Sequence, residues 1–207
     1  MGNINIFNLN ELIEKNNASV FIETGTLYGD GITHALKFGF KKIISIEIIP
    51  EVAENARQKF KDHSNVEIIT GHSTDVLKSI LPNIKENIVF WLDAHFPGCD
   101  ANIKTYDEIK KLDYSHNLPL EDELNLISER VLNYKDVLIC DDLWIYEDVT
   151  KGKLTDFNTH CKLHNHNIRL EEINQGKDLS ILYRKFGNTH EFKKVYREQG
   201  FVIVYPK

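Results

Sequence analysis

The chain has 207 residues, a net charge of −6 at pH 7 and a pI near 5.8, which fits a single domain and argues against a nucleic-acid partner. No apolar run approaches the ~20 residues that cross a bilayer, so no membrane partner is expected. The three cysteines are widely spaced and form no CxxC pair, so we expect no disulfide framework and a reducing, cytoplasmic setting.

Runs of β-branched and aromatic residues alternate with helical stretches over the first two-thirds of the chain. The predicted strands cover residues 19–23, 42–48, 66–70, 88–93 and 136–141. The predicted helices cover residues 32–38, 51–60, 74–80 and 120–132. Strand, helix and strand at this spacing predict βαβ units, and therefore an α/β, Rossmann-like doubly wound sheet that is mostly parallel and has helices on both faces.

The two ends of the chain are predicted to extend this core within a single domain of residues 1–207. Residues 1–17 contain a predicted helix at 9–15 that would cover the site or a sheet edge, ahead of the core at 18–148. In the remaining part, 149–207, residues 179–183 and 201–205 are predicted to pair as an antiparallel edge. This C-terminal part is also a candidate for substrate contacts or for the interface of a homo-oligomer.

A glycine-rich turn follows the first predicted strand. Its sequence is Glu23-Thr24-Gly25-Thr26-Leu27-Tyr28-Gly29-Asp30-Gly31. Glycine permits positive φ and lets a ligand approach the backbone, and the next helix offers unpaired N–H groups at its start. The spacing is G-x-x-x-G-x-G, whereas nicotinamide and flavin sites normally carry G-x-G-x-x-G. A dinucleotide is therefore disfavoured at this turn.

Two further features follow the second and third predicted strands. Glu47 ends the second strand, where a carboxylate can accept hydrogen bonds from both ribose hydroxyls of an adenosine. His72 and Ser73 follow the third strand and are placed to meet an adenine edge. Because the three features occur in order on successive strands, together they indicate a ligand that contains adenosine.

With the fourth-strand segment Trp91-Leu92-Asp93-Ala94-His95-Phe96-Pro97-Gly98, these residues resemble the class I S-adenosyl-L-methionine-dependent methyltransferases. The closest resemblance is to small bacterial-type members that are often associated with polysaccharide pathways. It spans roughly residues 18–148 and includes the segment 118–124 on the next helix.

The resemblance implies a role for each of these motifs. Glu23 and Gly25 would line the methionine end of the cofactor, with Thr26 and Gly29 in the same turn. Glu47 would hold the ribose, and His72 and Ser73 would flank the adenine. Relatives often carry Asp where this chain has His72.

Acidic residues and a histidine follow the last two predicted parallel strands. Asp93 and His95 close the fourth strand, and Asp141 and Asp142 close the fifth, so their side chains can converge across strands about 4.8 Å apart. Asp93, Asp141 and Asp142 resemble the ligands of metal-dependent O-methyltransferases and suit Mg²⁺ or another divalent cation, which lowers the pKa of an acceptor hydroxyl.

His95 is the predicted general base, with Asp93 as its catalytic companion, since an unperturbed histidine pKa near 6.5 suits proton abstraction at neutral pH. Simpler roles stay open for the acidic residues. Asp93 would orient the cofactor's amino group, and Asp141 and Asp142 would be a helix cap and a surface charge. Methyl transfer without a metal also stays open, because it needs mainly proximity and alignment.

Together these residues predict S-adenosyl-L-methionine-dependent methylation of an oxygen on a small-molecule acceptor, such as a sugar or another polyhydroxylated or phosphorylated metabolite. Residues 96–117, which include a predicted helix at 106–111, are the candidate acceptor loop. The alternatives are an N-methyltransferase, an NAD-dependent oxidoreductase or epimerase, and a non-catalytic cofactor-binding module. His160, Cys161, His164 and His166 fit the spacing of structural zinc sites poorly, so zinc is disfavoured there.

Overall fold

One mixed sheet forms the centre of the computed structural model, which describes residues 3–99, 101, 103–105, 108, 117–147 and 178–207. Within these residues its seven strands are Ala18–Thr24 (β1), Lys42–Glu47 (β2), Val66–Thr70 (β3), Asn87–Leu92 (β4), Val137–Cys140 (β5), His190–Val195 (β6) and Phe201–Pro206 (β7). Their order across the sheet is β3-β2-β1-β4-β5-β7-β6. Neighbours among β1 to β5 pair in parallel, and β7 runs antiparallel to both β5 and β6. The predicted fold class is therefore confirmed.

Helices cover both faces of this sheet. In the described residues they are Leu9–Asn16 (α1), Asp30–Ala35 (α2), Pro50–Lys59 (α3), Ser73–Ile80 (α4), Leu120–Ser128 (α5), Leu143–Tyr146 (α6) and Ser180–Phe186 (α7). None of them combines the length and the apolar composition that crossing a membrane requires.

Two apolar clusters pack the helices onto the sheet. Successive residues of a strand point to opposite faces, so Ile22 belongs to the cluster with α4, α5 and α7, whereas Phe21 belongs to the cluster with α1 and α2. Both faces of the central strands are covered, which explains why these strands are almost continuously apolar. Leu9 of α1 is fully buried, and α1 contacts the central strands β1 and β4. This helix therefore covers a face of the sheet rather than an edge.

The prediction of a strand at residues 179–183 is wrong, because α7 occupies this segment. Ile181 and Leu182 are both buried although they are adjacent, and Phe186 is buried further along, which is the pattern of a helix face. The edge strand that pairs with β7 is β6. It carries Lys193 and Lys194, so its alternation of apolar and polar residues is weak. The predicted antiparallel edge exists, but its first strand lies later in the chain.

Two helix predictions also have altered bounds. The helix predicted at 32–38 begins at Asp30 and continues after Ala35 as a 3-10 turn over Leu36–Phe38. The helix predicted at 120–132 ends at Ser128, and the chain then turns so that Arg130 enters the protein interior. The predicted helix at 106–111 lies outside the described residues.

Arg130 and Asp136 form a buried ion pair at the amino ends of β4 and β5. Arg130 Nε donates to Asp136 Oδ2 at 2.7 Å, and its Nη atoms donate to the carbonyls of Ile84 at 2.7 Å and Glu86 at 2.8 Å. The other carboxylate oxygen, Asp136 Oδ1, accepts from the backbone N–H of Ile88 at 2.8 Å. The pair therefore joins the segment before β4 to the segment before β5, at the opposite end of the strands from the predicted site.

Arg130→Ala is expected to lower the free energy of unfolding by roughly 3–5 kcal/mol, because it leaves the Asp136 carboxylate buried without its partner. Urea denaturation followed by circular dichroism measures the change. Lys42→Ala removes one member of an exposed ion pair with Glu67 and serves as the control, with an expected change within about 0.5 kcal/mol. A loss below ~1 kcal/mol for Arg130→Ala would contradict the assigned role.

Candidate functional site

The carboxyl ends of β1 to β5 lie at the same edge of the sheet, and a cavity lies beyond the ends of β1 to β4, with about 710 Å³ of space when its open, solvent-filled part is included. Its walls come from the glycine turn after β1 and from the ends of β2, β3 and β4. They include Gly25, Leu27, Glu47, Ile48, Ile49, Val52, His72, Ser73, Asp93, His95 and Phe96.

Glu47 connects the glycine turn to the end of β2. Its Oε2 atom accepts from the backbone N–H of Thr26 at 3.2 Å and of Leu27 at 3.1 Å. Its Oε1 atom accepts from the N–H of Ile49 at 2.8 Å. Glu47, the residue predicted to bind the ribose, therefore also fixes the shape of the turn. It lies in the wall of the cavity.

Gly25 is required where the turn crosses the end of β4. Its φ is +86°, and a Cβ at this position would lie 2.8 Å from the carbonyl oxygen of Asp93. Such a contact is too short for a side chain, and the positive φ would strain any residue other than glycine. The backbone of Asp93 is held against the turn by a hydrogen bond from its N–H to the Thr24 carbonyl at 3.1 Å.

Glu23 is buried beneath the turn rather than in the cavity wall. It accepts a hydrogen bond from Ser45 Oγ at 2.5 Å, and Ser45 Oγ lies 2.6 Å from Thr26 Oγ1. Burial raises the pKa of Glu23 to about 8, and the nearby carboxylates of Asp93 and Glu47 add to the increase. The carboxyl also occupies the space beside Gly31, where a Cβ would lie 1.7 Å from Glu23 Oε1.

Glu23, Thr26 and Gly29 therefore support the turn from outside the cavity, although all three are predicted cofactor contacts. A Cβ at Gly29 would lie 2.5 Å from the ring of Phe60. In contrast, His72 and Ser73 do line the cavity at the start of α4, and His72 Nδ1 lies 2.7 Å from Thr74 Oγ1.

His95 lies between two carboxylates at the far end of the cavity. Its Nε2 atom is 3.3 Å from Asp93 Oδ1 and is in direct contact with Asp142 Oδ2. Trp144 Nε1 donates to the other oxygen of Asp142 at 2.8 Å, which orients this carboxylate. The structure thus brings together side chains that follow β4 and β5, as predicted.

The predicted metal set of Asp93, Asp141 and Asp142 needs a correction. Among the described residues, the side chains with ligand atoms within 4.8 Å of one another are Asp93, His95 and Asp142. Asp141 Oδ1 instead accepts from the backbone N–H of Asp142 at 2.7 Å. The physical reason is the left-handed conformation of Asp142, with φ of 53°, which turns its own carboxylate rather than that of Asp141 towards His95.

The pKa of His95 bears on its predicted role as a general base. Burial alone would lower the pKa of His95, but the carboxylates of Asp142 and Asp93 outweigh burial and raise the pKa well above 6.5. The two carboxylates therefore stabilise the protonated form of the imidazole. The unperturbed pKa is the wrong reference for this histidine, and its role as a base stays a prediction.

Glu123 is a residue that the sequence reasoning did not assign to the site. It lies on α5, is 1% exposed, and its carboxyl lies near Ser73, Thr24 and Asp93. Burial raises the pKa of Glu123 to about 7. A sequence signal was present, because Glu123 occupies a position on the face of α5 that is otherwise formed by Leu120, Leu124 and Ile127.

The strand order, the antiparallel β7 and the cavity beyond β1, β2 and β4 define the class I methyltransferase fold. No protein-family model matches the sequence, and no curated protein matches it. The structure is similar to methyltransferase PaMTH1 of Podospora anserina bound to S-adenosylhomocysteine (SAH), with a TM-score of 0.58 and 14% identity over 96% of this chain and 76% of that one. It is also similar to an O-methyltransferase of Bacillus cereus in complex with SAH, with a TM-score of 0.52 and 19% identity over 96% and 79% of the two chains.

The buried Glu23 makes stability depend on pH. In the unfolded chain its carboxyl ionises at its ordinary pKa near 4.5, whereas in the folded protein it keeps its proton up to about pH 8. The folded state thus binds the additional proton, so the free energy of unfolding decreases as pH rises from about 5 to 8. The free energy of unfolding of Glu23→Gln is expected to decrease less steeply than that of wild type over this pH range. Urea denaturation of ligand-free, chelator-treated protein measures both.

Glu67→Gln replaces an exposed glutamate and provides the matched control for this comparison. Its stability curve is expected to follow the wild-type curve. A constant difference between wild type and Glu23→Gln from pH 5 to 8 would show that Glu23 is ionised throughout.

Proposed function

We propose that this protein transfers the methyl group of S-adenosyl-L-methionine to an oxygen of a small polar acceptor. The observation that carries the proposal is one cavity whose wall includes Glu47 together with Asp93 and His95, two members of the cluster that Asp142 completes. A cofactor site and a set of side chains able to handle a hydroxyl group thus share one space.

The cavity wall fits the chemistry of an adenosine. Ile48, Ile49 and Val52 form an apolar surface for a flat base, and Glu47 offers carboxylate oxygens to ribose hydroxyls. Each carboxylate oxygen has two lone pairs, so Glu47 can accept from a ribose in addition to the backbone groups that it holds. Asp93 lines the same cavity, and we expect its carboxylate to accept from the ammonium of the methionine part.

The cluster at the far end of the cavity supports transfer to oxygen. Two carboxylates and an imidazole suit a divalent cation, which when bound supplies the Lewis acidity that lowers the pKa of an acceptor hydroxyl. In the transfer step the acceptor oxygen forms a bond to the methyl carbon as the carbon–sulfur bond breaks. The hydroxyl proton passes to solvent water, and the sulfonium becomes the neutral thioether of SAH. Asp93 and Asp142 contact the His95 imidazole and orient it.

The proposed acceptor is a small molecule with neighbouring oxygen atoms. A sugar or another polyhydroxylated or phosphorylated metabolite would offer neighbouring oxygens to the cluster, in agreement with the resemblance to members of polysaccharide pathways. The O-methyltransferase of Bacillus cereus among the structural neighbours supports transfer to oxygen. Transfer to an amine requires no acidic cluster, so the meeting of Asp93, His95 and Asp142 at the cavity favours the oxygen acceptor and opposes a non-catalytic module.

Glu47→Ala is expected to weaken SAH binding at least tenfold, because it removes the ribose acceptor and releases the N–H groups of Thr26 and Leu27. Isothermal titration calorimetry of wild type and variant with SAH measures the effect. Glu67→Ala removes an exposed glutamate and should bind as wild type does. Binding of NAD⁺ in place of SAH by the wild-type protein would overturn the proposal.

Asp142→Asn is expected to reduce methyl transfer at least tenfold while SAH affinity stays within about threefold, because this carboxylate lies at the acceptor end. The assay measures transfer of a radiolabelled methyl group to a panel of sugars and polyhydroxylated compounds, with a matched panel of small amines. Chelation is expected to abolish transfer, and added divalent cation to restore it. Turnover that survives exhaustive chelation would remove the metal from the proposal, and transfer to amines alone would replace O- by N-methylation.

A further inference from the structure

The groups around His95 form a compact set of donors. One ligand atom each from Asp93, His95 and Asp142 lies within 4.8 Å of the other two, on side chains that are between 3% and 11% exposed. The His95 Nε2 atom contacts both carboxylates and is therefore the central member of the set. The residue His95 lines both the large cavity and a second, smaller one.

Two further buried carboxyl groups face the smaller cavity. Asp141 and Glu123 line it together with the donor set, and they are 3% and 1% exposed. Asp141 Oδ2 is buried without a hydrogen-bond partner among the described residues, and the Glu123 carboxyl is buried beside the hydroxyls of Ser73 and Thr24. Buried carboxyl groups without partners cost free energy, and a cation held at the donor set would offset that cost. These groups are therefore independent evidence for a cation at this place.

The Asp142 carboxylate is held in the orientation that a ligand needs. Its Oδ1 atom accepts from Trp144 Nε1 at 2.8 Å, so its Oδ2 atom is directed at His95. Hydrogen bonds that orient a metal-binding carboxylate in this way are typical of metal sites. The N–H of Asp142 is in turn fixed by Asp141 Oδ1 at 2.7 Å.

We infer that His95 is a metal ligand and that the site of Asp93, His95 and Asp142 prefers Co²⁺, Ni²⁺ or Zn²⁺ to Mg²⁺. An imidazole nitrogen among the donors favours these later transition ions, whereas a set of carboxylates and waters alone suits Mg²⁺. The inference extends the proposed function, in which the ion would act on the acceptor hydroxyl. It also gives His95 a role other than that of general base, because a nitrogen that holds the ion does not accept the proton.

The test is cation binding by the ligand-free, chelator-treated protein. Calorimetric titrations with CoCl₂ and MgCl₂ are expected to give an affinity at least tenfold higher for Co²⁺. Visible absorption of the bound Co²⁺ reports whether a nitrogen donor is present. His95→Ala is expected to reduce Co²⁺ affinity at least tenfold, to change the Co²⁺ spectrum, and to change Mg²⁺ affinity by less than about threefold.

Other histidines must be kept apart from this site. His160, His164 and His166 are close together in the sequence, so the titrations are run both in wild type and in a variant with these three residues replaced by Ala. The preference for Co²⁺ is expected to remain in that variant. His63→Ala, which removes an exposed histidine, is the matched control for His95→Ala and should leave Co²⁺ affinity unchanged.

Three results would overturn the inference: no binding of Co²⁺, equal affinity for Co²⁺ and Mg²⁺, or Co²⁺ binding that is unaffected by His95→Ala. SAH binding by wild type and His95→Ala checks that the variant remains folded. It also separates the two proposals, because SAH binding tests the methyltransferase function without any cation. If the protein does not bind SAH but still prefers Co²⁺, the proposed methyltransferase function is wrong and the inferred metal site stands.

Discussion

One carboxylate holds the functional edge of the sheet together. Glu47 accepts hydrogen bonds from N–H groups on both sides of a gap, from Thr26 and Leu27 after β1 and from Ile49 after β2. A buried carboxylate is tolerated when charge-assisted hydrogen bonds of this kind replace its hydration. Because the turn is fixed in this way, Gly25 can lie directly against the backbone of Asp93, and the cavity has a defined wall.

The remaining acidic groups of this edge are held in a less favourable setting. Burial is the main cause of a raised pKa at Glu23, Asp93, Glu123 and Asp141. Under the proposed function this setting distinguishes the two forms of the cofactor. S-adenosyl-L-methionine carries a sulfonium charge that SAH lacks, and a cation beside these carboxyl groups lowers their pKa, so the charged cofactor favours their ionised forms and the neutral product does not.

The sequence was sufficient to predict the sheet and the edge at which the site lies. Parallel strands that are covered on both faces must be apolar throughout, and polar residues such as Glu47 and Asp93 mark the points where they end. The sequence was insufficient where packing outside the sheet decides the outcome. Residues 179–183 have a composition that suits a strand, yet the burial of adjacent Ile181 and Leu182 against α5 selects a helix.

Within the site, the choice among neighbouring side chains depends on backbone geometry that spacing does not reveal. Asp141 and Asp142 are equivalent in sequence, and only the left-handed conformation at Asp142 decides which carboxylate meets His95. Glu123 was recognisable in principle as a charged residue on an apolar helix face. Its proximity to Asp93, however, follows from how α5 packs on the sheet.

The contact between Glu23 and Gly31 limits how these two positions can vary in evolution. The carboxyl of Glu23 fills the place where a side chain at position 31 would stand, with 1.7 Å between Oε1 and an added Cβ. The two positions therefore share one volume, and neither can be enlarged alone. In homologous chains we would expect them to covary, with any residue larger than glycine at 31 accompanied by a shorter side chain at 23.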